Sequence, residues 1–225
     1  MAGYQRDDRT PEQIEHETEL YGALADEVRR LADASIRTEV DDDTVRDVTA
    51  QLREIADRLQ VRQASGPYGI RFDDEGHGRP WGNAVVGLRN PVAPPLDVRR
   101  EKLGEQRGRA WAKFRLGAAY EGPPGLVHGG VSALILDQML GEACGAAGVP
   151  GMTGTLTLKY RRPTPLGELS AEARVDRVEE IKTWATGAIS DADGNVCVEA
   201  EGVFILSKWA REAVAKEREK QTRFE

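Results

Sequence analysis

Residues 120–148 read YEGPPGLVHGGVSALILDQMLGEACGAAG, a loop rich in proline and glycine followed by an almost wholly apolar run. Pro123 and Pro124 exclude a helix from the loop, because proline lacks a backbone N–H and fixes φ. Apolar residues fill most positions of residues 131–147, which predicts a long helix buried in the core. Asp137 interrupts this run near its middle.

Burying a carboxylate such as that of Asp137 in the core costs free energy. An ionised carboxylate in the core loses several kcal/mol of solvation unless other groups compensate it. Taken alone, Asp137 fits a structural role, satisfied by hydrogen bonds, as well as a functional one. Its neighbours at helical spacing favour function, because Ala133, Gly141 and Gly145 share its face and leave that face nearly bare. Such a face admits another backbone or a slender ligand.

Two glycines stand at the predicted start of the helix. Gly129 and Gly130 present backbone N–H groups where the helix macrodipole is positive, which suits a developing oxyanion. Gly129 and Asp137 are eight residues apart, about 12 Å along a helix, too far for both to act on one carbonyl carbon. We therefore expect them to cooperate across two chains, through antiparallel packing of two helices about a two-fold axis.

Composition restricts the class of protein. The chain has 225 residues, enough for one domain with an appendage, and its net charge of -7 argues against nucleic acid as a partner. Cys144 and Cys197 lack metal-ligand spacing and are interpreted as free buried thiols in a reducing compartment. The sequence shows neither a signal-peptide pattern nor a bilayer-spanning run, so we expect a cytoplasmic protein with no membrane partner.

The N-terminal part predicts two amphipathic helices. The first covers residues 11–34, with Pro11 suited to its first turn. The second follows N-cap chemistry at residues 41–44, and its apolar stripe is Val45, Val48, Leu52, Ile55 and Leu59. We interpret residues 1–64 as a helical hairpin extension that docks on a larger domain. Residues 65–104 are predicted to be a linker and loop region with one short strand at 83–88.

The second half predicts a sheet. Strand patterns occur at residues 109–116, 153–162, 168–179, 182–191 and 196–206, the last four as a meander. Asp193-Gly194 is a hairpin turn signal between the last two. Only this sheet can bury the apolar helix, so the predicted fold class is α+β. The domain comprises residues 105–208, and residues 209–225 form a charged tail.

Three motifs within residues 109–207 carry a family resemblance. The first is Val127-His128-Gly129-Gly130 followed by Asp137; the second is Thr153-Gly154-Thr155-Leu156 leading into Tyr160-Arg161-Arg162-Pro163; the third is Glu199-Ala200-Glu201-Gly202-Val203-Phe204. Together they resemble the hotdog-fold acyl-CoA thioesterases of the phenylacetate-pathway and thioesterase-superfamily-member type. The resemblance implies a curved antiparallel sheet wrapped around a long central helix. It also implies a homodimer, which could assemble into a dimer of dimers, that hydrolyses acyl-CoA without cofactor or metal.

The resemblance further implies roles for individual residues. The Gly129 amide of one subunit would polarise the thioester carbonyl, and Asp137 of the other would attack it or activate a water, two roles that stay open. Thr153 would orient that carboxylate or the water, and His128 would contact the substrate or hold the loop. The residues expected to bind coenzyme A or the acyl group are Gly130, Lys159, Arg161 and Arg162. Strand alternation separates Arg161 from Arg162, so we expect at most one to face a given ligand.

Some alternatives remain open. Many relatives carry Asn or Gln about seven residues before the oxyanion glycine, where this sequence has Gly122. Glu121 and Glu142 are alternative acids, but neither shares the bare face with Asp137. A non-catalytic acyl-CoA-binding or scaffold protein of the same fold is a second hypothesis, and Asp137 together with Thr153 favours the enzyme. A hotdog dehydratase is disfavoured, because the helix has no histidine after Val131.

Overall fold

The computed structural model describes residues 4–73 and 78–206 of the chain. The chain folds as two compact units, residues 1–93 and residues 94–225. The predicted tail, residues 209–225, lies outside the described residues. Residues 65–104, predicted to be linker and loops, contribute two short strands to the first unit and one strand to the second.

Two long helices dominate the first unit. Helix α1 (Pro11–Arg37) begins with a capping box, in which the Thr10 hydroxyl accepts the Gln13 N–H and the Gln13 side chain accepts the Thr10 N–H. Helix α2 (Asp42–Gln60) begins where the Asp41 carboxylate accepts the Thr44 N–H at 2.9 Å. Both predicted helices are therefore present, and their starts follow from the N-cap residues in the sequence.

The apolar stripe of α2 is exposed. Its five members retain between 37% and 53% of their accessible surface, and no residue of the helix is buried. Residues 1–64 were predicted to dock on a larger domain, which would bury this stripe. Among the described residues of the first unit, the stripe stays largely exposed.

A small sheet completes the first unit, and the sequence patterns did not predict it. Strand β1 (Tyr4–Arg6) pairs in parallel with β2 (Ile70–Phe72), and β3 (Gly78–Arg79) pairs antiparallel to β2. The short strand predicted at residues 83–88 is wrong. The Asn83 side-chain oxygen instead accepts N–H groups from Val85 at 2.7 Å and Val86 at 3.0 Å, which fixes a turn in place of a strand.

A buried carboxylate ties the N-terminal strand to this unit. The Asp7 side chain is fully buried and accepts hydrogen bonds from Arg9 Nε at 2.7 Å and Arg79 Nη1 at 3.2 Å. The Arg9 guanidinium lies over the Trp81 ring, 4.3 Å from its centroid. The hydrogen bond from Arg9 is the main reason that the pKa of Asp7 lies below its ordinary value, and it outweighs the opposing effect of burial.

Asp7→Asn leaves the Arg9 and Arg79 guanidinium groups without their buried carboxylate. We expect the free energy of unfolding to fall by about 3 kcal/mol at pH 7. Because the folded-state pKa of Asp7 is depressed, its contribution is present above the unfolded pKa and is lost as pH falls through the folded pKa. Urea unfolding followed by tryptophan fluorescence should therefore show a difference from wild type that shrinks below about pH 4.

Asp8→Asn is the matched control. Asp8 pairs with Arg6 at 3.1 Å, but the two side chains are 81% and 69% exposed. Solvent screens such a pair, so the variant should unfold like wild type within experimental error. Equal losses of stability in the two variants would contradict the role given to Asp7.

A six-stranded antiparallel sheet and one helix form the second unit. The strands are β4 (Arg99–Gly104), β5 (Arg107–Leu116), β6 (Met152–Tyr160), β7 (Gly167–Glu179), β8 (Lys182–Ser190) and β9 (Val196–Ile205). Their spatial order is β4-β5-β7-β8-β9-β6. Helix α3 (Gly129–Ala146) packs on one face of this sheet. The predicted α+β hotdog arrangement is confirmed.

Helix α3 buries one side against the sheet. Its buried residues are Ser132, Ile135, Leu136, Met139, Leu140, Ala143 and Cys144. Glycines in the sheet allow this close approach. A Cβ at Gly202 would lie 2.9 Å from Leu140 Cδ1, and one at Gly108 would lie 2.4 Å from the Ala143 carbonyl oxygen. The helix can therefore lie almost directly on the strand backbone.

The five strands predicted within residues 109–206 and the helix predicted at residues 131–147 match β5 to β9 and α3 to within two residues at each end, but two features of the sheet differ. Strand β4 was missed because all six of its residues are exposed and carry no alternating pattern. The predicted four-strand meander is wrong. Strands β7, β8 and β9 are consecutive neighbours, whereas β6 pairs with β9 at the far edge, because α3 carries the chain across the sheet first.

Both cysteines are free and buried, as predicted. Burial raises the pKa of the Cys144 thiol to about 12 and also raises that of Cys197.

Within residues 4–73 and 78–206, no helix is both long and apolar enough to cross a bilayer.

Candidate active site

Asp137 and Thr153 lie together where α3 passes β6, the edge strand of the sheet. The Thr153 hydroxyl, at the start of β6, donates to Asp137 Oδ1 at 2.8 Å. One carboxylate oxygen is thereby held, and Oδ2 has no hydrogen bond to a described residue. The sequence predicted a contact of this kind for Thr153, and the structure brings the two side chains together.

The face around Asp137 is open. In the single chain Asp137, Ala133 and Gly141 are half-buried and Gly145 is exposed, with no atom within 4 Å of a Cβ added at Gly145. The expectation that Asp137 is buried in the core is therefore wrong for one chain by itself. The helix is apolar on nearly all sides, so its sequence does not indicate which side meets the sheet.

His128 caps the start of α3. Its Nδ1 accepts the Gly130 N–H at 3.0 Å, and its carbonyl oxygen accepts N–H groups from Val131 at 2.9 Å and Ser132 at 3.3 Å. Of the two amides proposed as oxyanion donors, that of Gly130 is thus occupied. The Gly129 N–H donates to no group among the residues that the structure describes. The arrangement leaves one amide, at the positive end of the helix, available to a ligand.

Tyr160 also belongs to this cluster, although no sequence pattern indicates a role for it. Its hydroxyl donates to the Gly129 carbonyl oxygen at 2.9 Å, and its ring lies 3.4 Å from a Cβ added at Gly129. Tyr160 stands in the second sequence motif and ends β6. A contact from a side chain to a distant backbone carbonyl leaves no periodic signal, so only the motif could have pointed to it.

The packing around Gly122 explains why this chain lacks the Asn or Gln that many relatives carry about seven residues before the oxyanion glycine. A Cβ at this position would lie 2.7 Å from the Cα of His128. No side chain, and therefore no Asn or Gln, fits there unless the loop shifts. The close approach of Gly122 to His128 also helps to hold the residue that caps α3.

A groove of about 400 Å³ opens beside the start of α3. Its lining includes Gly129, Ser132, Tyr160, Arg161 and Arg162. A larger cavity of about 720 Å³ lies on the outer face of the sheet, between β5, β7, β8 and β9, and contains none of the predicted catalytic residues. The outer cavity is the larger of the two, but the smaller groove contains the free Gly129 amide. We therefore place the candidate active site in the smaller groove.

The three basic residues predicted to meet coenzyme A differ in their surroundings. Lys159 Nζ pairs with Glu201 at 2.9 Å, and Arg161 Nε pairs with Glu199 at 2.8 Å. Arg162 forms no ion pair with a described residue and lines the groove. The alternation argument for Arg161 and Arg162 does not hold, because β6 ends at Tyr160 and both arginines line the same groove.

The alternative acids serve local contacts. The Glu121 carboxylate accepts the Gly125 N–H at 2.7 Å in the loop before α3. Glu142 pairs with Arg100 and accepts a hydrogen bond from Gln138 Nε2 at 2.7 Å. Neither contacts Thr153 or lies at the start of α3, so Asp137 remains the acid best placed for chemistry.

The sequence is similar to known thioesterases. A model of the family described as the thioesterase superfamily matches residues 124–198. The chain is 35% identical over 98 residues to acyl-coenzyme A thioesterase THEM4 of Xenopus laevis, covering 41% of this chain and 42% of that relative. THEM4 of Bos taurus is 33% identical over 94 residues, covering 41% of this chain and 38% of the relative. The matches thus span less than half the length of these curated relatives.

Similarity to a solved structure extends over nearly the whole chain. A crystal structure described as a thioesterase superfamily protein is 33% identical, with a TM-score of 0.71, and the match covers 90% of this chain and 98% of that one. The chain therefore belongs to the thioesterase superfamily. Its relatives among the curated proteins carry the name acyl-coenzyme A thioesterase.

His128→Ala removes the acceptor that caps the Gly130 N–H. We expect the free energy of unfolding to fall by about 1 kcal/mol, the usual cost of losing an N-cap side chain. His128→Asn supplies another short acceptor at the N-cap and should restore most of this loss, as measured by urea unfolding. Equal losses in the two variants would contradict the capping role.

Proposed function

We propose that this protein hydrolyses acyl-CoA thioesters to a free acid and coenzyme A at a site shared by two copies of the chain. The observation that carries the proposal is the hydrogen bond from Thr153 to Asp137 on the open face of α3. A free amide at the start of the same helix, that of Gly129, supplies the second group the chemistry needs. The names of the curated relatives support the substrate class.

The two groups act on one thioester only if they come from different copies. Along one helix Gly129 and Asp137 are separated by about 12 Å, because each residue adds 1.5 Å of rise. Antiparallel packing of two α3 helices through their open faces brings Asp137 of one copy to the Gly129 amide of the partner subunit. The half-buried Ala133 and Gly141 on that face present no bulky side chain to such packing.

Strand β6 gives independent support for a second copy. It pairs only with β9 among the described strands, and seven of its nine residues are exposed. Met152 at its start is 69% exposed, and Leu134 on the outer side of α3 is 42% exposed. A long edge strand with few charges invites pairing with another chain. Covering β6 would also shield Asp137 and Thr153 from bulk water.

The proposed reaction divides the work between the two groups. The thioester carbonyl oxygen accepts the Gly129 N–H, which stabilises the negative charge that develops on that oxygen. The Thr153 hydroxyl holds Oδ1 of Asp137, so Oδ2 is free either to attack the carbonyl carbon or to take a proton from an attacking water. Both routes expel the coenzyme A thiolate and release the acid after one water is consumed.

Arg162 is the proposed contact for the phosphates of coenzyme A. It lines the groove that also contains Gly129. Asp191 interacts with Arg162 electrostatically, but no ion pair within 4 Å holds its guanidinium among the described residues. Lys159 and Arg161 would have to leave Glu201 and Glu199 before they could bind a phosphate. A guanidinium binds phosphate oxygens through parallel N–H groups, which suits an anchor at the mouth of a groove.

Asp137→Asn should lower kcat by about a hundredfold or more, because the amide can neither attack nor accept the proton. Thr153→Val, which keeps the shape but removes the hydroxyl, should cost about tenfold by releasing Oδ1. Thr153→Ser keeps the donor and should lose less than Thr153→Val. Release of coenzyme A thiol from acetyl-CoA, decanoyl-CoA and phenylacetyl-CoA measures these rates and also identifies the preferred acyl group.

Gly129→Pro tests the oxyanion donor selectively. Gly129 is the first residue of α3, a position that tolerates proline, and His128 already has the φ of -59° and ψ of 131° that a following proline requires. The variant loses only the N–H, and we expect kcat to fall by about a hundredfold. Gly129→Ala adds the same Cβ near Tyr160 but keeps the N–H, so it should lose far less.

Mixing the two inactive variants tests whether the site is shared. A dimer of one Asp137→Asn chain and one Gly129→Pro chain contains one intact site if the groups come from different subunits. Random exchange should then restore about a quarter of the wild-type rate, because half of the dimers are mixed and each has one of two sites intact. A mixture no more active than its components would contradict the shared site.

Acyl-CoA binding without turnover would instead favour the non-catalytic alternative. Isothermal titration with a non-hydrolysable acyl-CoA thioether separates the two outcomes. Tight binding by wild type together with no release of thiol from any of the three substrates would overturn the proposed hydrolysis.

A further inference from the structure

One peptide group at the start of α3 is held from both ends. It is the peptide that joins Gly129 to Gly130. Its carbonyl oxygen accepts the Tyr160 hydroxyl at 2.9 Å, and its N–H donates to His128 Nδ1 at 3.0 Å. The two partners come from different parts of the fold, the end of β6 and the loop before the helix.

This peptide needs such restraint because it lies between two glycines. Glycine adopts backbone conformations that other residues avoid, so a Gly-Gly peptide in the first turn of a helix is less restrained than one between other residues. A half-rotation would turn the Gly129 carbonyl oxygen toward the side where the first N–H groups of the helix point. A carbonyl dipole there would repel a developing oxyanion instead of stabilising it.

We propose that Tyr160 is a positioning residue for the oxyanion site, which fixes the Gly129–Gly130 peptide so that the neighbouring Gly129 N–H keeps its direction. The inference rests on the proposed thioester hydrolysis. The Tyr160 ring also packs beside Gly129, 3.4 Å from an added Cβ. Tyr160 acts through Gly129 and does not itself need to touch the reacting atoms.

The position of Tyr160 in β6 links the two halves of the chemistry. The same strand begins near Thr153, which orients Asp137, and ends at Tyr160, which holds Gly129. In a shared site, Asp137 and Gly129 of one chain serve two different catalytic centres. Strand β6 of each chain therefore supports one component of both centres.

Tyr160→Phe removes the hydroxyl and keeps the ring, and this variant tests the inference. We expect kcat for acyl-CoA hydrolysis to fall about tenfold, on the scale of one neutral hydrogen bond. KM should change less than threefold, and the urea unfolding midpoint should be close to that of wild type. Tyr21→Phe, which removes a hydroxyl from α1 in the first unit, is the matched control and should have wild-type kinetics.

Nuclear magnetic resonance can monitor the Gly129–Gly130 peptide directly. In protein labelled with ¹⁵N-glycine, the Gly130 amide resonance should move in Tyr160→Phe, because its peptide loses the hydrogen bond at the carbonyl. A wild-type kcat or an unmoved Gly130 resonance in Tyr160→Phe overturns the inference and leaves the proposed hydrolysis standing. So does a loss of kcat that accompanies a comparable loss of stability. Absence of hydrolysis by wild-type protein overturns both proposals.

Discussion

Close packing of one side of α3 on the sheet is the constraint from which the rest of the second unit follows. Glycines at positions 108 and 202 let the helix approach the strand backbone, and larger side chains such as Leu136 and Met139 fill the remaining space. Most of the stability of a helix in a protein comes from tertiary packing, which the packed side of α3 supplies. The less buried side of α3 then carries Asp137, which stays half-buried in the single chain.

The open side of α3 also explains how an otherwise apolar helix can carry the Asp137 carboxylate. A carboxylate in the core would need full compensation. On the open face it keeps part of its hydration and needs only the single hydrogen bond from Thr153. In the proposed dimer, a second copy or a substrate would cover this face and remove water from it, and the drier surroundings would strengthen the electrostatic interactions of the reaction.

The sequence was informative wherever one face of an element is buried. Strands β5 and β7 alternate between buried and exposed residues, and their bounds could be predicted closely. Strand β4 is exposed throughout and was missed. The place of β6 in the sheet depends on the direction in which α3 crosses it, which no local pattern encodes. Asp137 and Thr153 were paired through the family resemblance, whereas the contact of Tyr160 with a backbone carbonyl required coordinates.

The two cysteines have a practical consequence for measuring the chemistry. Both are fully buried, and burial raises the pKa of each thiol, which disfavours the reactive thiolate. Reagents that detect sulfhydryl groups therefore find almost none on the folded chain. In a test of the proposed hydrolysis, the colour they develop would count the liberated coenzyme alone, and a slow additional signal would report that the sheet and its helix have come apart.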